Sequence, residues 1–333
     1  MEKMTFEQKL TECEQNLRAI SLNSYTLSER EKYADFVELL VLFNKGEGIS
    51  KGDVKDILFG ENDDVIESDD EKIETDNVKT IITEEKNNDN KEDFINNIFK
   101  LLNERFTLFA ELYPFKQDND SMYLKKEINN GIKIYIFLLF SSTLNVFKSF
   151  QTELTTDFET VSYEALKQFI PSAEVKQFGK NSEYTGNAKT KIRKLAKDLG
   201  LPIDNYEISQ VGERNNQERG LDIIGWLPFM DNCQNKMVFL CQCACGKYFG
   251  SKQHDTRRFE HYYVFYRTKP QHTLFIPASL ININENKFYH SDDVEDDYLV
   301  FERKRIVSLL KDNNICNQLL SKDLVEKCFE SSL

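Results

Sequence analysis

Apolar residues recur at helical spacing through the first sixty positions of the chain. Phe6 to Ile20 is amphipathic, and Ser28-Glu-Arg-Glu opens like a capping box before Tyr33, Phe36, Val37, Leu39, Leu40, Val41, Leu42 and Phe43. Asn44-Lys-Gly-Glu-Gly reads as a helix stop, and Ser50 caps a short helix through Leu58. Residues 1–59 are expected to form a helical interaction module. Residues 60–93 are acidic, Asn-rich and poor in aromatics, the composition of a flexible linker. Apolar spacing resumes at Ile95, Ile98, Phe99, Leu102, Phe106, Phe109 and Leu112, and Pro114 ends that helix. A second long helix over Ile128 to Phe150 completes an expected hairpin across residues 94–153.

The pattern then changes. Phe158 to Phe169 reads as a helix closed by Pro171, and Val175 to Phe178 as a short strand. Ala188 to Leu199 is a basic helix ended by Gly200. Leu221 to Trp226 and Met237 to Cys245 are continuous apolar runs, the mark of buried strands. Phe259 to Arg267 is expected to be helical and Thr273 to Pro277 a strand; Glu302 to Lys311 and Lys322 to Phe329 are closing helices. Residues 154–333 therefore read as one α/β domain with a central mixed β-sheet flanked by helices.

The formal charge of −13 argues against a nucleic-acid partner only until it is located. Residues 61–93 carry 14 acidic residues and 4 Lys, a local −10, which leaves the rest of the chain near neutral at −3. Two stretches run the other way. Residues 174–200 carry a local +4 and residues 252–269 a local +3, which fits phosphate contacts as well as a plain solvated face. Tyr262, Tyr263 and Tyr266 can stack on bases or simply pack in a core.

Seven Cys and no apolar N-terminal leader point to a reducing, cytoplasmic protein with free thiols. Ile132 to Phe147 is too short and too polar for a comfortable membrane span, so no membrane association is expected. Cys241, Cys243 and Cys245 alternate along one strand and are too spread for one tetrahedral zinc; they read as small buried thiols. The acidic cluster of residues 292–297 lacks the spacing of a calcium loop and reads as a solvated turn.

One constellation carries chemistry. Asp222 heads a buried strand after Gly220, and Gln242 stands on the next strand, sharing a face with Ala244. A buried Gln needs a partner for its amide. Carboxylates with an amide oxygen suit Mg²⁺, with Mn²⁺ able to substitute, for phosphodiester hydrolysis. Glu218 is a secondary ligand candidate, and Asp231 reads as a turn residue.

The stretch Gly220-Leu-Asp-Ile-Ile-Gly-Trp226, with Met237-Val-Phe-Leu-Cys-Gln-Cys-Ala-Cys-Gly-Lys247, resembles the core of the PD-(D/E)xK restriction-endonuclease-like superfamily, nearest the D…QxK variants of type IV restriction enzymes. The resemblance covers residues 155–280 and implies a restriction-endonuclease-like module. By it, Asp222 matches the metal-binding Asp of the second core strand, Gln242 the acidic or Gln position of the third, and Glu159, in the Phe158-Glu159 pair, the helix glutamate. The family's lysine falls where this chain has Ala244; Lys247 and Lys252 are the candidates to replace it. The implied function is a Mg²⁺-dependent endonuclease, DNA favoured over RNA, acting as the effector of a prokaryotic anti-phage or restriction system beside an ATPase or sensor partner. The alternative is an inactive nuclease-fold scaffold or adaptor that binds nucleic acid or a partner protein.

Overall fold

The computed structural model describes residues 4–20, 29–44, 47–59, 77–118, 120–179, 181–212, 220–231, 233–245, 249–289 and 291–330. Residues 60–76 of the expected linker, the Ser28 cap, Glu218 and Lys247 lie outside them. The chain divides into two compact units, one of residues up to Ile128 together with those from Lys327, the other Asn129–Glu326. The expected hairpin and nuclease-like domain, with a boundary between residues 153 and 154, do not follow this division, because the first hairpin helix falls in one unit and the second in the other.

In the first unit α1 (Phe6–Arg18) starts in a capping box between Thr5 and Gln8, and α2 (Arg30–Phe43) buries nearly its whole length. Strand β1 (Ile49–Ser50) runs into α3 (Lys51–Phe59), whose first turn is closed as expected by Ser50: Asp53 N–H donates to Ser50 Oγ at 3.1 Å, and Ser50 N–H returns a bond to Asp53 Oδ2 at 2.8 Å. Helix α4 spans Asn77–Phe109, so the backbone is helical across residues 77–93, where composition alone predicts linker. A hairpin of β2 (Phe115–Asp118) and β3 (Ser121–Leu124), which the sequence reading missed, pairs with β1 in a three-stranded sheet ordered β1-β3-β2.

The core of this unit encloses charge. Arg105 on α4 donates to Asp35 Oδ1 and Glu38 Oε1 of α2, both at 2.7 Å, and Tyr113 Oη donates to Glu38 Oε1 at 2.9 Å. All four side chains are buried. Ion pairs so placed are held by their geometry, because no water replaces a lost partner.

The second unit opens with α5 (Asn130–Ser142), capped by Asn129 and buried on nearly every face, which accounts for its continuous apolar sequence. It ends at Ser142, short of the expected Phe150, because Ser141 and Thr143 turn their hydroxyls back onto the Phe137 and Leu139 carbonyls. Helix α6 (Gln151–Phe169) follows, and Phe158, Val161, Ala165 and Leu166 bury its inner side. Then come β4 (Glu174–Gln177), α7 (Ala188–Leu199), the short α8 (Asn205–Ser209), β5 (Ile223–Trp226) and β6 (Val238–Cys243). Helix α7 ends at Gly200 in the left-handed region, as the sequence predicts, and its first turn is capped by Asn187. A 3₁₀ stretch over residues 250–258 leads into α9 (Phe259–Tyr262), and the chain is extended again from Tyr263, so the helix expected to Arg267 stops early. Strands β7 (Gln271–Phe275), β8 (Ile281–Asn282), β9 (Lys287–Phe288) and β10 (Tyr298–Phe301) precede α10 (Arg303–Leu310) and α11 (Lys322–Glu330), whose residues from Lys327 are assigned to the first unit.

The main sheet is mixed, in the order β10-β7-β6-β5-β4. Strands β4, β5 and β6 form an antiparallel meander; β6–β7 and β7–β10 are parallel. The α/β class with a central mixed sheet is as predicted from the sequence. Ile224, Trp226, Val238 and Leu240 pack against α7 and α9 on one face. On the other, a side chain at Gly225 would meet Leu166 of α6, so α6 covers that side.

Candidate functional site

The end of the sheet where β4 and β6 finish and β5 begins is held by unusual backbone bonding. The Asp222 carbonyl accepts N–H bonds from both Phe178, at 2.7 Å, and Gly179, at 2.9 Å, while Asp222 N–H donates to the Cys241 carbonyl at 3.0 Å. Its carboxylate lies on the β6 side: Cys243 N–H donates to Asp222 Oδ2 at 2.7 Å. A carboxylate standing in for a ladder carbonyl ends the pairing of β5 with β6 at this point. Gly220, at φ +86°, leaves no room for a Cβ because Asp255 packs against it, which fixes the approach to β5.

The other Asp222 oxygen and the Glu159 carboxylate both face Gly179. A Cβ on Gly179 would stand 2.8 Å from Glu159 Oε2 and 3.1 Å from Asp222 Oδ1, so the two carboxylates converge on one point that only a glycine leaves open. Glu159 is buried although its side chain is ionisable, placed by the inner side of α6. The sequence pairs these residues only through the family resemblance; no spacing rule links them.

Gln242 is on the neighbouring strand but takes no part in that convergence. Its Nε2 donates to the Cys243 carbonyl at 3.4 Å, and its Oε1 is buried without a hydrogen-bond partner. Strand alternation turns Gln242 toward the α7 and α9 face and Cys243 toward α6. Cys243 is accordingly the β6 side chain that joins Glu159 and Asp222. Burial, reinforced by those two carboxylates, pushes its thiol well above the usual range and keeps it protonated. Ser162, one turn after Glu159, is also buried there, its hydroxyl against the Cys243 thiol, where it opposes part of the upward shift. Cys243, Ser162 and Gly179 were not singled out as site residues in the sequence; the signal available for Ser162 was its i+3 spacing from Glu159 on a helix with a buried side.

The lysine candidates divide. Ala244 is buried among Leu274, Ile276, Leu280 and Val300, a setting with no room for a lysine. Lys252 is exposed in the 3₁₀ stretch that follows β6. Asp231 accepts a bond from Cys233 N–H at 2.9 Å, the turn role expected of it. On α7, Arg193, Lys194 and Lys197 face solvent, while Lys191 is buried. Tyr262 and Tyr263 are core residues, Tyr263 donating to the Ile192 carbonyl at 3.0 Å; Tyr266 is exposed.

The donor set fits a hard cation. Two carboxylates and a cradle that a Cβ would fill offer oxygen ligands, as Mg²⁺ or Mn²⁺ prefers, while the orphaned Gln242 Oε1 lies on the other face of β6. Among the described residues no group of three or more His, Cys, Asp or Glu is arranged to hold a metal, so an ion here would complete its shell with water. No helix of the described residues is long and apolar enough to cross a membrane. Comparison with known protein families, curated proteins and solved structures finds no match to the chain.

Proposed function

We propose that the second unit is a metal-dependent endonuclease of the restriction-endonuclease-like kind, with DNA favoured over RNA as substrate. The observation that carries the reading is the convergence of Glu159 and Asp222 on the space beside Gly179. The order of elements supports it: a helix bearing Phe158-Glu159, then three antiparallel strands with Asp222 at the head of the second and Gln242 in the third. Glu159 and Asp222 would hold Mg²⁺ or Mn²⁺. When bound, such an ion polarises a phosphate and acidifies a water. The chain's own groups do the positioning. Cys243 N–H fixes the Asp222 carboxylate, and the Phe178 and Gly179 N–H groups fix its backbone. Gln242, turned to the other face of β6, keeps its Oε1 buried without a hydrogen-bond partner and stands outside the carboxylate pair. Lys252, or Lys247, would steady charge developing on the phosphate. By the same resemblance the protein acts as an anti-phage or restriction effector in the cytoplasm with an ATPase or sensor partner.

Ala244 favours a second reading, a nuclease-fold scaffold that binds without cutting, because that buried position holds no lysine. Plasmid cleavage by wild type and Asp222→Ala, with Mg²⁺ and with Mn²⁺, separates the two. Cleavage lost in a folded variant supports the endonuclease. Cation binding without cleavage by either protein supports the scaffold, and equal cleavage by both removes Asp222 from the site.

A further inference from the structure

The three most exposed aromatic rings among the described residues are Tyr206 at 71%, Phe229 at 61% and Tyr266 at 53% of full exposure. All three lie in the second unit; Phe229 and Tyr266 are on loops at the end of β5 and β6 opposite to Asp222, and Tyr206 stands on α8. Bonds tie these loops together. Leu227 N–H donates to the Met237 carbonyl at 3.1 Å, closing the β5–β6 turn that carries Phe229. Lys236 Nζ from the same turn reaches the Leu199 carbonyl at 3.4 Å, and Thr268 bonds Asn235. Val264 N–H donates to the Pro202 carbonyl at 2.9 Å, which sets the Tyr266 segment against the end of α7 and the approach to α8. Met237 and Val264, on the same two loops, are exposed, and Met230, beside Phe229, is 98% exposed with φ +57°, a conformation unusual for a residue other than glycine. An isolated exposed ring needs no explanation; a group of this size does.

Cations surround the group. Arg267 lies over the Tyr266 ring at 5.9 Å, Lys197 and Lys269 are exposed, and Arg193 donates to Asn205 at 3.1 Å beside Tyr206. Three nearby acids are used locally. Asp204 caps α8, Asp231 closes its turn, and Asp198 holds Lys176 at 2.7 Å and Tyr184 at 2.8 Å. Flat exposed rings beside cations match the two faces of an unpaired nucleic-acid strand, whose bases stack and whose phosphates attract cations. A base-paired duplex hides its base faces and would leave the rings unused.

We propose that this end of the sheet is a binding site for single-stranded nucleic acid, with Phe229 and Tyr266 as stacking platforms and Lys197, Lys236, Arg267 and Lys269 meeting phosphates. The site is separate from the paired carboxylates, with the length of β6, roughly 17–20 Å, between them. It goes beyond the endonuclease reading and does not need catalysis.

Fluorescence anisotropy with a labelled oligothymidine, carried out on Asp222→Ala protein, reads binding without cleavage. Phe229→Ala and Tyr266→Ala are each expected to weaken binding about 5- to 100-fold. Tyr266→Phe should bind as the parent does, and a duplex of equal length should bind alike to all of these proteins. Melting curves check that the exposed substitutions leave the fold intact. Unchanged oligothymidine affinity in both alanine variants would overturn the proposal. So would self-association in sedimentation that both substitutions abolish in the absence of oligothymidine binding, which would assign the surface to protein contact. Loss of plasmid cleavage in Asp222→Ala with single-strand binding intact would leave the two sites independently established.

Discussion

Cys243 N–H donates to Asp222 Oδ2 at 2.7 Å, while Asp222 Oδ1 faces Gly179, as Glu159 Oε2 does from α6. One oxygen of Asp222 is thus spent on the fold and the other is aimed into the site. This division would let a single residue at a strand end serve the fold with one oxygen and, on the proposed reading, hold a cation with the other.

Gly179→Ala tests the cradle. The φ of Gly179 lies outside the left-handed region, so the backbone accepts alanine, and only the new Cβ collides with the two carboxylates. The expected cost in stability is about 1–3 kcal/mol. Mn²⁺ affinity in calorimetry should fall about 10- to 100-fold, as when residues supporting metal ligands are disturbed. Unchanged affinity would remove the cation from this position.

Arg105→Ala should destabilise the first unit by about 3–5 kcal/mol, since Asp35 and Glu38 would be left buried without their cation. Arg105→Lys should recover little of this, because one ammonium does not reproduce the guanidinium fork. Urea unfolding of the three proteins gives the comparison.

His272 predicts a pH dependence. Its Nε2 meets Glu260 Oε1 at 2.7 Å, its Nδ1 meets Thr256 Oγ1 at 2.9 Å, and its ring stacks on Tyr298. Burial lowers its pKa below the ordinary 6.5 and outweighs Glu260, which acts to raise it; Arg257 adds to the lowering and Asp297 opposes it. The unfolded chain therefore takes up the proton first. Stability owed to neutral His272 is complete above pH 6.5 and is lost as the pH falls below that value. Thermal midpoints of wild type should drop on acidification through this window, and His272→Gln should remove part of the slope. Parallel curves would show that His272 does not couple to folding.

Thiol labelling checks the cysteine assignment. Cys233 is exposed, whereas Cys241 and Cys243 are buried with thiols pushed up chiefly by that burial. Iodoacetamide near neutral pH should modify Cys233 in the native protein and reach Cys241 and Cys243 only after unfolding.

Strands β5 and β6 were legible because continuous apolar runs bounded by turns have few other readings. Strand β10 was not. Tyr298–Phe301 is four residues long, follows an acidic turn and pairs in parallel with β7, so no local hairpin announces it. The β2–β3 hairpin was hidden by Lys116, Gln117 and Asp118, which read as loop. The early start of α4 was missed because residues 77–93 carry too few apolar positions for a periodic face. At the site, Asp222 was visible at the head of its strand. The choice of Gln242 over Cys243 turned on which face of β6 the helix α6 would cover, which a strand's own sequence does not reveal.

The order of strands also bears on synthesis. All six residues of β6 are buried, but its parallel neighbour β7 begins at Gln271 and ends the wait only after the intervening chain has been made. At about 5–20 residues per second, the ribosome leaves the outer edge of β6 unpaired for on the order of seconds. For that interval the nascent chain presents an apolar, hydrogen-bonding template to its neighbours. The yield of native protein should therefore depend on translation speed and chaperone supply more than its final stability indicates.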